Sequence, residues 1–72
     1  MKVKDILILL PKHQETQIHF KDYGYYASHA YGLLNFCTKT LDSNVTKIET
    51  DYINDCKCTV VKIYADLGLR DL

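Results

Sequence analysis

The stretch VTKIETDYINDCKCTVVKIYA, residues 45–65, decides the fold. Its first half alternates between two kinds of side chain, which is the pattern of a strand with one half-buried face. One face carries Thr46, Ile48, Thr50 and Tyr52, and the other carries Lys47, Glu49 and Asp51. The second half is apolar on both faces, as in a central strand, through Val60, Val61, Ile63 and Tyr64. The sequence therefore predicts strands at Val45–Ile53 and Cys58–Ala65, with a tight turn at residues 54–55.

The residues before this stretch predict a helix and a further strand. In the first ten residues, one helical face is apolar and consists of Val3, Ile6, Leu7 and Leu10. Pro11 has no backbone N–H to continue the helix, so the helix should stop near residue 10. Residues 16–21 alternate, with Thr16, Ile18 and Phe20 on one side and Gln17, His19 and Lys21 on the other. They predict a strand.

The middle of the chain predicts a loop followed by a second helix. Residues 22–26 contain Asp22 and Gly24, which favour a turn or loop. Residues 27–41 place seven side chains on one helical face, namely Ala27, Ala30, Tyr31, Leu34, Cys37, Thr38 and Leu41. Gly32 and Asn35 oppose this helix through their low propensity. Residues 66–72 are expected to form one turn or an irregular tail.

These elements give the predicted fold class, α+β. It consists of an N-terminal helix, a second helix and a three-stranded, mostly antiparallel sheet. A chain of 72 residues can bury one core, so residues 1–72 are expected to form a single domain. Stability at this length is small, and self-association could add to it.

The charges argue against a strongly polyionic partner, although a local charged patch is still possible. Nine basic and nine acidic residues cancel, and they are mixed along the chain. Nucleic-acid binders usually carry a basic stripe and mimics of DNA an acidic one, so the balance favours a protein partner.

The start of the chain predicts a cytoplasmic protein. The apolar stretch at residues 6–10 is too short for a signal-peptide core or a membrane span, and Pro11 breaks it. In a reducing compartment the three cysteines, Cys37, Cys56 and Cys58, are expected to be free thiols.

The cysteines and histidines do not predict a metal site. Cys56 and Cys58 have one residue between them and no second pair, whereas structural zinc sites use wider spacing and two pairs. We expect them to pack as small apolar side chains on one face of the last strand. No metal and no cofactor are therefore predicted.

The sequence does not predict an enzyme. It has no nucleophile-elbow motif and no phosphate-binding loop, and it contains only three glycines. A cysteine and a histidine could meet in the fold, but nothing in the sequence fixes such a pair. A core this small also leaves little room for a substrate pocket.

The strongest candidate for a binding site is the tyrosine-rich segment, residues 23–31. Its partner-binding residues are predicted to be Tyr23, Tyr25, Tyr26, His29 and Tyr31. Tyrosine gives a large amphipathic contact at low entropic cost, and the intervening Gly and Ser residues let the backbone adapt. The alternative is that individual tyrosines pack over the edge of the core with their hydroxyls in water.

The apolar pattern also resembles a known group of proteins. It is carried by Met1-x-Val3-x-Asp5-Ile6-x-x-Leu9-Leu10, Ile18-His19-Phe20, Val45-x-x-Ile48 and Val60-Val61-Lys62-Ile63-Tyr64. In this pattern the chain resembles small helix-then-sheet proteins encoded by bacteriophages and other mobile elements. The resemblance implies that the protein binds and blocks a host protein, such as a CRISPR effector or another part of bacterial defence. It supplies no catalytic residues.

The predicted function is therefore that of a non-catalytic protein-binding module. One alternative is a structural homo-oligomer that closes through the tyrosine-rich segment or an edge strand. Another is a single-stranded nucleic-acid binder, with tyrosines stacking on bases and Lys12, Lys21 and Lys39 contacting phosphates.

Overall fold

The computed structural model describes residues 1–22 and 24–68, and Tyr23 and residues 69–72 lie outside that part. The helices are α1 (Val3–Leu7), α2 (Ala30–Leu33) and α3 (Thr38–Leu41). The strands are β1 (Glu15–His19), β2 (Tyr25–His29), β3 (Val45–Ile53) and β4 (Cys58–Ala65). The α+β class is confirmed. Within the described ranges, no helix has the length and apolar character needed to cross a membrane.

The strands form one sheet in the order β2-β1-β4-β3. β1 pairs antiparallel with β2, and β3 pairs antiparallel with β4. The two hairpins are joined by a parallel pair between β1 and β4. The predicted three-stranded sheet is therefore wrong in its strand number, because a fourth strand, β2, forms one edge of a mixed sheet.

The fourth strand lies where a loop and the start of a helix were predicted. β2 pairs with β1 residue by residue, from Glu15 opposite His29 to His19 opposite Tyr25. Only two short helices, α2 and α3, form in the rest of residues 27–41, so the prediction of one continuous helix there is wrong. Four of the five β2 residues are exposed, so this edge strand carries no apolar alternation that could reveal it.

The other predicted elements agree better with the structure. β3 and β4 have the predicted bounds, and β1 lies close to its predicted position. The prediction that one face of β3 is half-buried is wrong, because Ile48 and Tyr52 on that face are exposed. The first helix is shorter than predicted, because α1 ends at Leu7 and tight turns continue to Leu10, where the N–H donates to the carbonyl of Leu7 at 3.3 Å. The following Pro11 disfavours helical geometry at Leu10.

The three helices cover one face of the sheet, which we call the inner face. Ile18 of β1 and Ile63 of β4 are paired on this face, and both are fully buried. Val3 and Leu7 of α1 and Leu33 of α2 pack in the same cluster and are also buried. Burial of each such side chain contributes about 1.5–3 kcal/mol, so this small core supplies most of the stability.

The N-terminus is tied to the start of β3. The Val45 N–H donates to the Met1 carbonyl at 2.8 Å, and the Val3 N–H donates to the Ser43 carbonyl at 3.0 Å. Lys2 and Asn44 form an antiparallel bridge. The first residues therefore occupy the outer edge of β3 at its start.

The β3–β4 turn corrects the prediction for two cysteines. The turn spans residues 54–57, and Lys57 has a φ of 53°, in the left-handed region. This turn folds the chain back so that the Cα atoms of Cys56 and Cys58 lie 5.4 Å apart, and the two residues form a disulfide. The expectation of free thiols packed as small apolar side chains is wrong for this pair, while Cys37 is a free thiol.

Candidate functional site

The face of the sheet opposite the helices, the outer face, carries a row of side chains that crosses all four strands. His19 of β1 lies opposite Tyr25 of β2 and opposite Tyr64 of β4. Tyr64 lies opposite Lys47 of β3. Directly paired residues point to the same face, so these side chains are neighbours. We call Tyr25, His19 and Tyr64 the aromatic row.

The rings of the aromatic row stack on one another. The centroid of His19 is 5.0 Å from that of Tyr25 and 4.5 Å from that of Tyr64, with interplanar angles of 28° and 26°. The Lys47 ammonium lies 5.3 Å from the Tyr64 ring centroid, within cation–π range. The row is therefore a continuous aromatic surface with a cation at one end.

His19 is held neutral at the centre of the row. Its Nε2 lies 2.8 Å from Oε1 of Gln17, the distance of a hydrogen bond donated by the ring N–H. Burial lowers the pKa of His19, the nearby Lys62 charge lowers it further, and Glu49 opposes both effects. The imidazole therefore stacks as an uncharged ring at neutral pH.

The lysines beside the row are each paired with a carboxylate. The N–O distances are 2.8 Å for Lys47–Glu49, 3.4 Å for Lys62–Asp51 and 3.8 Å for Lys21–Asp66. The Glu49 carboxylate accepts hydrogen bonds from the Lys47 ammonium and the Tyr64 hydroxyl, which lower the pKa of Glu49. The surroundings of the aromatic row are polar but electrically balanced.

An open cavity of about 540 Å³ adjoins the row. Its walls include His19, Lys21, Thr46, Tyr64 and Asp66. The His19 and Tyr64 side chains therefore border open space, and the Lys21–Asp66 pair lies beside them. A side chain from a partner could enter here and contact the rings.

The predicted tyrosine-rich segment does not form one surface. Tyr25 belongs to the aromatic row on the outer face, whereas Tyr26 lies opposite Ile18 on the inner face. There the Tyr26 ring stacks on Phe36 at 4.8 Å. Because adjacent strand residues point to opposite faces, the two tyrosines cannot meet the same flat partner.

The other predicted site residues lie on α2, at the end of β2 or outside the described ranges. Tyr31 is on α2, with the Lys12 ammonium 5.0 Å from its ring centroid. His29 caps α2, because its Nδ1 accepts a hydrogen bond from the Gly32 N–H at 3.0 Å. Tyr23 lies outside the described residues. The structure thus places Tyr31 and His29 away from the aromatic row.

Tyr31 also lines a second, smaller cavity of about 240 Å³ between α1 and α2. Its walls are mostly apolar and include Leu7, Ile8, Leu10 and Leu34. Ile8 is 65% exposed. This apolar groove is separate from the outer face.

Sequence reasoning missed His19 and Tyr64 as site residues. Both are in predicted strands, and the alternation had placed His19 on the side opposite the apolar residues. What the pattern lacked was the strand order, because only the parallel β1–β4 pairing brings the two rings together. A solvent-side aromatic in a predicted strand was the available signal.

The described residues do not cluster as a metal site. In residues 1–22 and 24–68, no three His, Cys, Asp or Glu side chains lie close enough together to hold a metal ion. Comparisons with protein-family models, with curated proteins and with solved structures found no match.

Proposed function

We propose that this chain is a non-catalytic protein-binding module whose contact surface is the outer face of the sheet around the aromatic row. The observation that carries the proposal is the stacked, open row of Tyr25, His19 and Tyr64 surrounded by paired charges. Interfaces typically have an aromatic centre with a polar rim, and tyrosine is enriched among the residues that dominate binding energy.

The charge pairing favours a protein over a nucleic acid. Phosphate binding needs lysines that can release counterions to the backbone. Here Lys47, Lys62 and Lys21 each have a carboxylate partner within 4 Å, and that carboxylate would repel a phosphate. A protein surface can instead match both signs of charge.

The stacking of the rings before binding also lowers the entropic cost of forming an interface. Rings that are already packed against each other lose little conformational entropy when a partner covers them. Tyr25 is 57% exposed, so a large part of its surface remains to be buried. We place the energetic centre of the interface at Tyr25 and at the cavity that His19 and Tyr64 border.

The proposed partner is a host protein in the cytoplasm. Support comes from the resemblance to small phage-encoded proteins, which suggests a CRISPR effector or another defence protein. The module would act by stoichiometric binding, because its outer face offers an exposed aromatic contact surface.

The proposal can be tested by affinity capture from extracts of the cells that express the protein. We expect the double variant Tyr25→Ala/His19→Ala to lose a bound protein that the unmodified chain retains. The matched control is Tyr31→Ala, which removes an equally exposed tyrosine, 53% exposed, from the helical side. Equal retention by the double variant, with its fold verified by circular dichroism, would show that the outer face is not the interface.

A second candidate function is binding of single-stranded nucleic acid, favoured by the stacked geometry of the aromatic row. Bases could continue the stack of Tyr25, His19 and Tyr64. Fluorescence titration with an unstructured oligonucleotide at low and moderate salt separates the two candidates. Tight binding that weakens steeply with salt and is lost in Tyr25→Ala/His19→Ala would favour this second function over the first.

A further inference from the structure

The outer edge of β3 is a long strand edge with no partner strand along most of its length. β3 is the last strand in the order β2-β1-β4-β3 and runs over nine residues. Met1 and Lys2 occupy its edge only at Asn44 and Val45. From Thr46 onward, within the described residues, no other strand pairs with this edge.

The inner face of β3 is also uncovered from Ile48 onward, whereas Val45 packs against the core. Ile48 lies opposite the fully buried Ile63, yet Ile48 is 46% exposed. Tyr52, on the same face, is 56% exposed. The helices therefore cover the inner face as far as β4 and leave apolar side chains of β3 open to solvent. Long apolar edges of this kind favour pairing with another strand.

The charges of β3 select a second copy of β3 as the partner. In a two-fold antiparallel pair, one residue lies opposite its own copy, and the neighbours at equal distance on either side lie opposite each other. In a pair centred on Ile48, the Lys47 of each copy lies opposite the partner's Glu49, which gives two pairs of opposite charges. A pair centred on Lys47, Glu49 or Asp51 places that charged residue opposite its own copy. A pair centred on Thr50 places Glu49 opposite the partner's Asp51, which has the same charge.

The register centred on Ile48 also fits the other features of the strand. It brings the two exposed Ile48 side chains together on the inner face and pairs residues 47–49, which follow the β-bulge between Val45 and Lys47 and the contact with Met1. On the outer face, Lys47 is exposed and Glu49 is half-buried, with 62% and 42% of their side-chain surface accessible, so both can reach a partner. Opposite charges directly across a strand pair stabilise it and like charges destabilise it.

We propose that the chain forms a symmetric homodimer in which β3 pairs antiparallel with the β3 of a second copy, centred on Ile48. The two sheets then form one continuous sheet of eight strands. The aromatic row stays accessible, because Tyr25 and His19 lie on the two strands furthest from the new interface.

A charge-swap series tests the dimer by sedimentation equilibrium across a wide range of protein concentration. Lys47→Glu places a new carboxylate opposite the partner's Glu49, and Glu49→Lys places two ammonium groups opposite each other. Each single variant should weaken dimerisation about tenfold, and the double variant K47E/E49K should restore it. A chain that stays monomeric at all concentrations, or single variants that dimerise as well as the unmodified chain, would overturn the proposal.

Cross-linking tests the register independently. In a chain whose native cysteines are replaced by serine and whose fold is verified, Ile48→Cys should form an intermolecular disulfide on mild oxidation. Thr50→Cys is the matched control, because it faces the partner's Thr46 in this register and should cross-link far more slowly. Faster cross-linking through Thr50→Cys would contradict the register. Tyr25→Ala/His19→Ala should leave dimerisation unchanged, so failure of the dimer and failure of the proposed protein-binding surface are distinguishable.

Discussion

The imidazole of His19 stacks on the phenol ring of Tyr64 with 4.5 Å between their centroids. The two residues belong to different hairpins, β1–β2 and β3–β4, and are neighbours only because β1 and β4 pair in parallel. The contact therefore lies at the junction of the two halves of the sheet, and it completes the aromatic row that we propose as the binding surface.

The first prediction concerns the pH dependence of stability. The pKa of His19 is lowered in the folded protein, mainly by burial and then by Lys62, so the unfolded chain binds the proton more readily. The contribution of neutral His19 to stability is present above about pH 6.5 and is lost as pH falls from there through the lowered pKa. Urea denaturation across this range should show a smaller loss of stability for His19→Gln than for the unmodified chain.

The comparison of the two proteins isolates His19, because His13 and His29 are present in both. If the stability of His19→Gln falls with pH as steeply as that of the unmodified chain, the neutral, stacked state of His19 does not contribute as described.

The second prediction compares two isoleucines that face each other on the inner face. Ile63 is fully buried and Ile48 is 46% exposed. Ile63→Ala should lower the free energy of unfolding by about 2–5 kcal/mol, because it leaves a cavity in a small core. Ile48→Ala should change it by about 0.5 kcal/mol or less when measured in dilute, monomeric protein. Similar losses for both variants would mean that the helices cover β3 as well as β4.

The third prediction concerns the reactivity of Cys37. Its sulfur lies 3.0 Å from the Thr40 hydroxyl, and this hydrogen bond lowers the pKa of the Cys37 thiol. Thr40→Val, which keeps the shape of this fully buried side chain, should raise the pKa and slow alkylation of Cys37 at neutral pH. The pH profile of the iodoacetamide reaction measures the shift.

Ser43→Ala is the control for this prediction. The Ser43 hydroxyl donates a hydrogen bond to the Thr40 carbonyl at 2.6 Å. The Cys37 thiol takes no part in this hydrogen bond. The alkylation profile of Ser43→Ala should therefore match that of the unmodified chain. If both variants shift the pH profile of alkylation equally, the cause is a change in the local backbone and not the loss of the Thr40 hydroxyl.

The fourth prediction concerns the Cys56–Cys58 disulfide. The bond encloses one residue, Lys57, and the hairpin already holds Cys58 through its pairing with Ile53. Closing so short a loop restricts the unfolded chain little, so Cys56→Ser/Cys58→Ser should cost no more than about 2 kcal/mol. Thermal unfolding with and without reductant measures the difference. Loss of cooperative unfolding on reduction would instead identify the bond as essential to the fold.

The sequence by itself determined the β3–β4 hairpin and the apolar face of the N-terminal helix. β4 is rich in β-branched residues, and its apolar side chains are largely buried, so local pattern and final environment agree there. β3 alternates regularly and forms a strand with the predicted bounds, but its apolar side chains from Ile48 onward are exposed. The helix face of Val3, Ile6 and Leu7 is likewise buried in the core. The helix face and β4 are encoded locally, because burial of a face requires an apolar pattern in the sequence.

Only the tertiary structure decided the edge strand, the disulfide and the aromatic row. β2 is mostly exposed and takes its extended form from hydrogen bonds with β1, which no local pattern records. Cys56 and Cys58 meet because the turn at residues 54–57 reverses the chain. His19, Tyr25 and Tyr64 become one surface through the strand order, which depends on long-range pairing between distant segments and cannot be read from their spacing in the sequence.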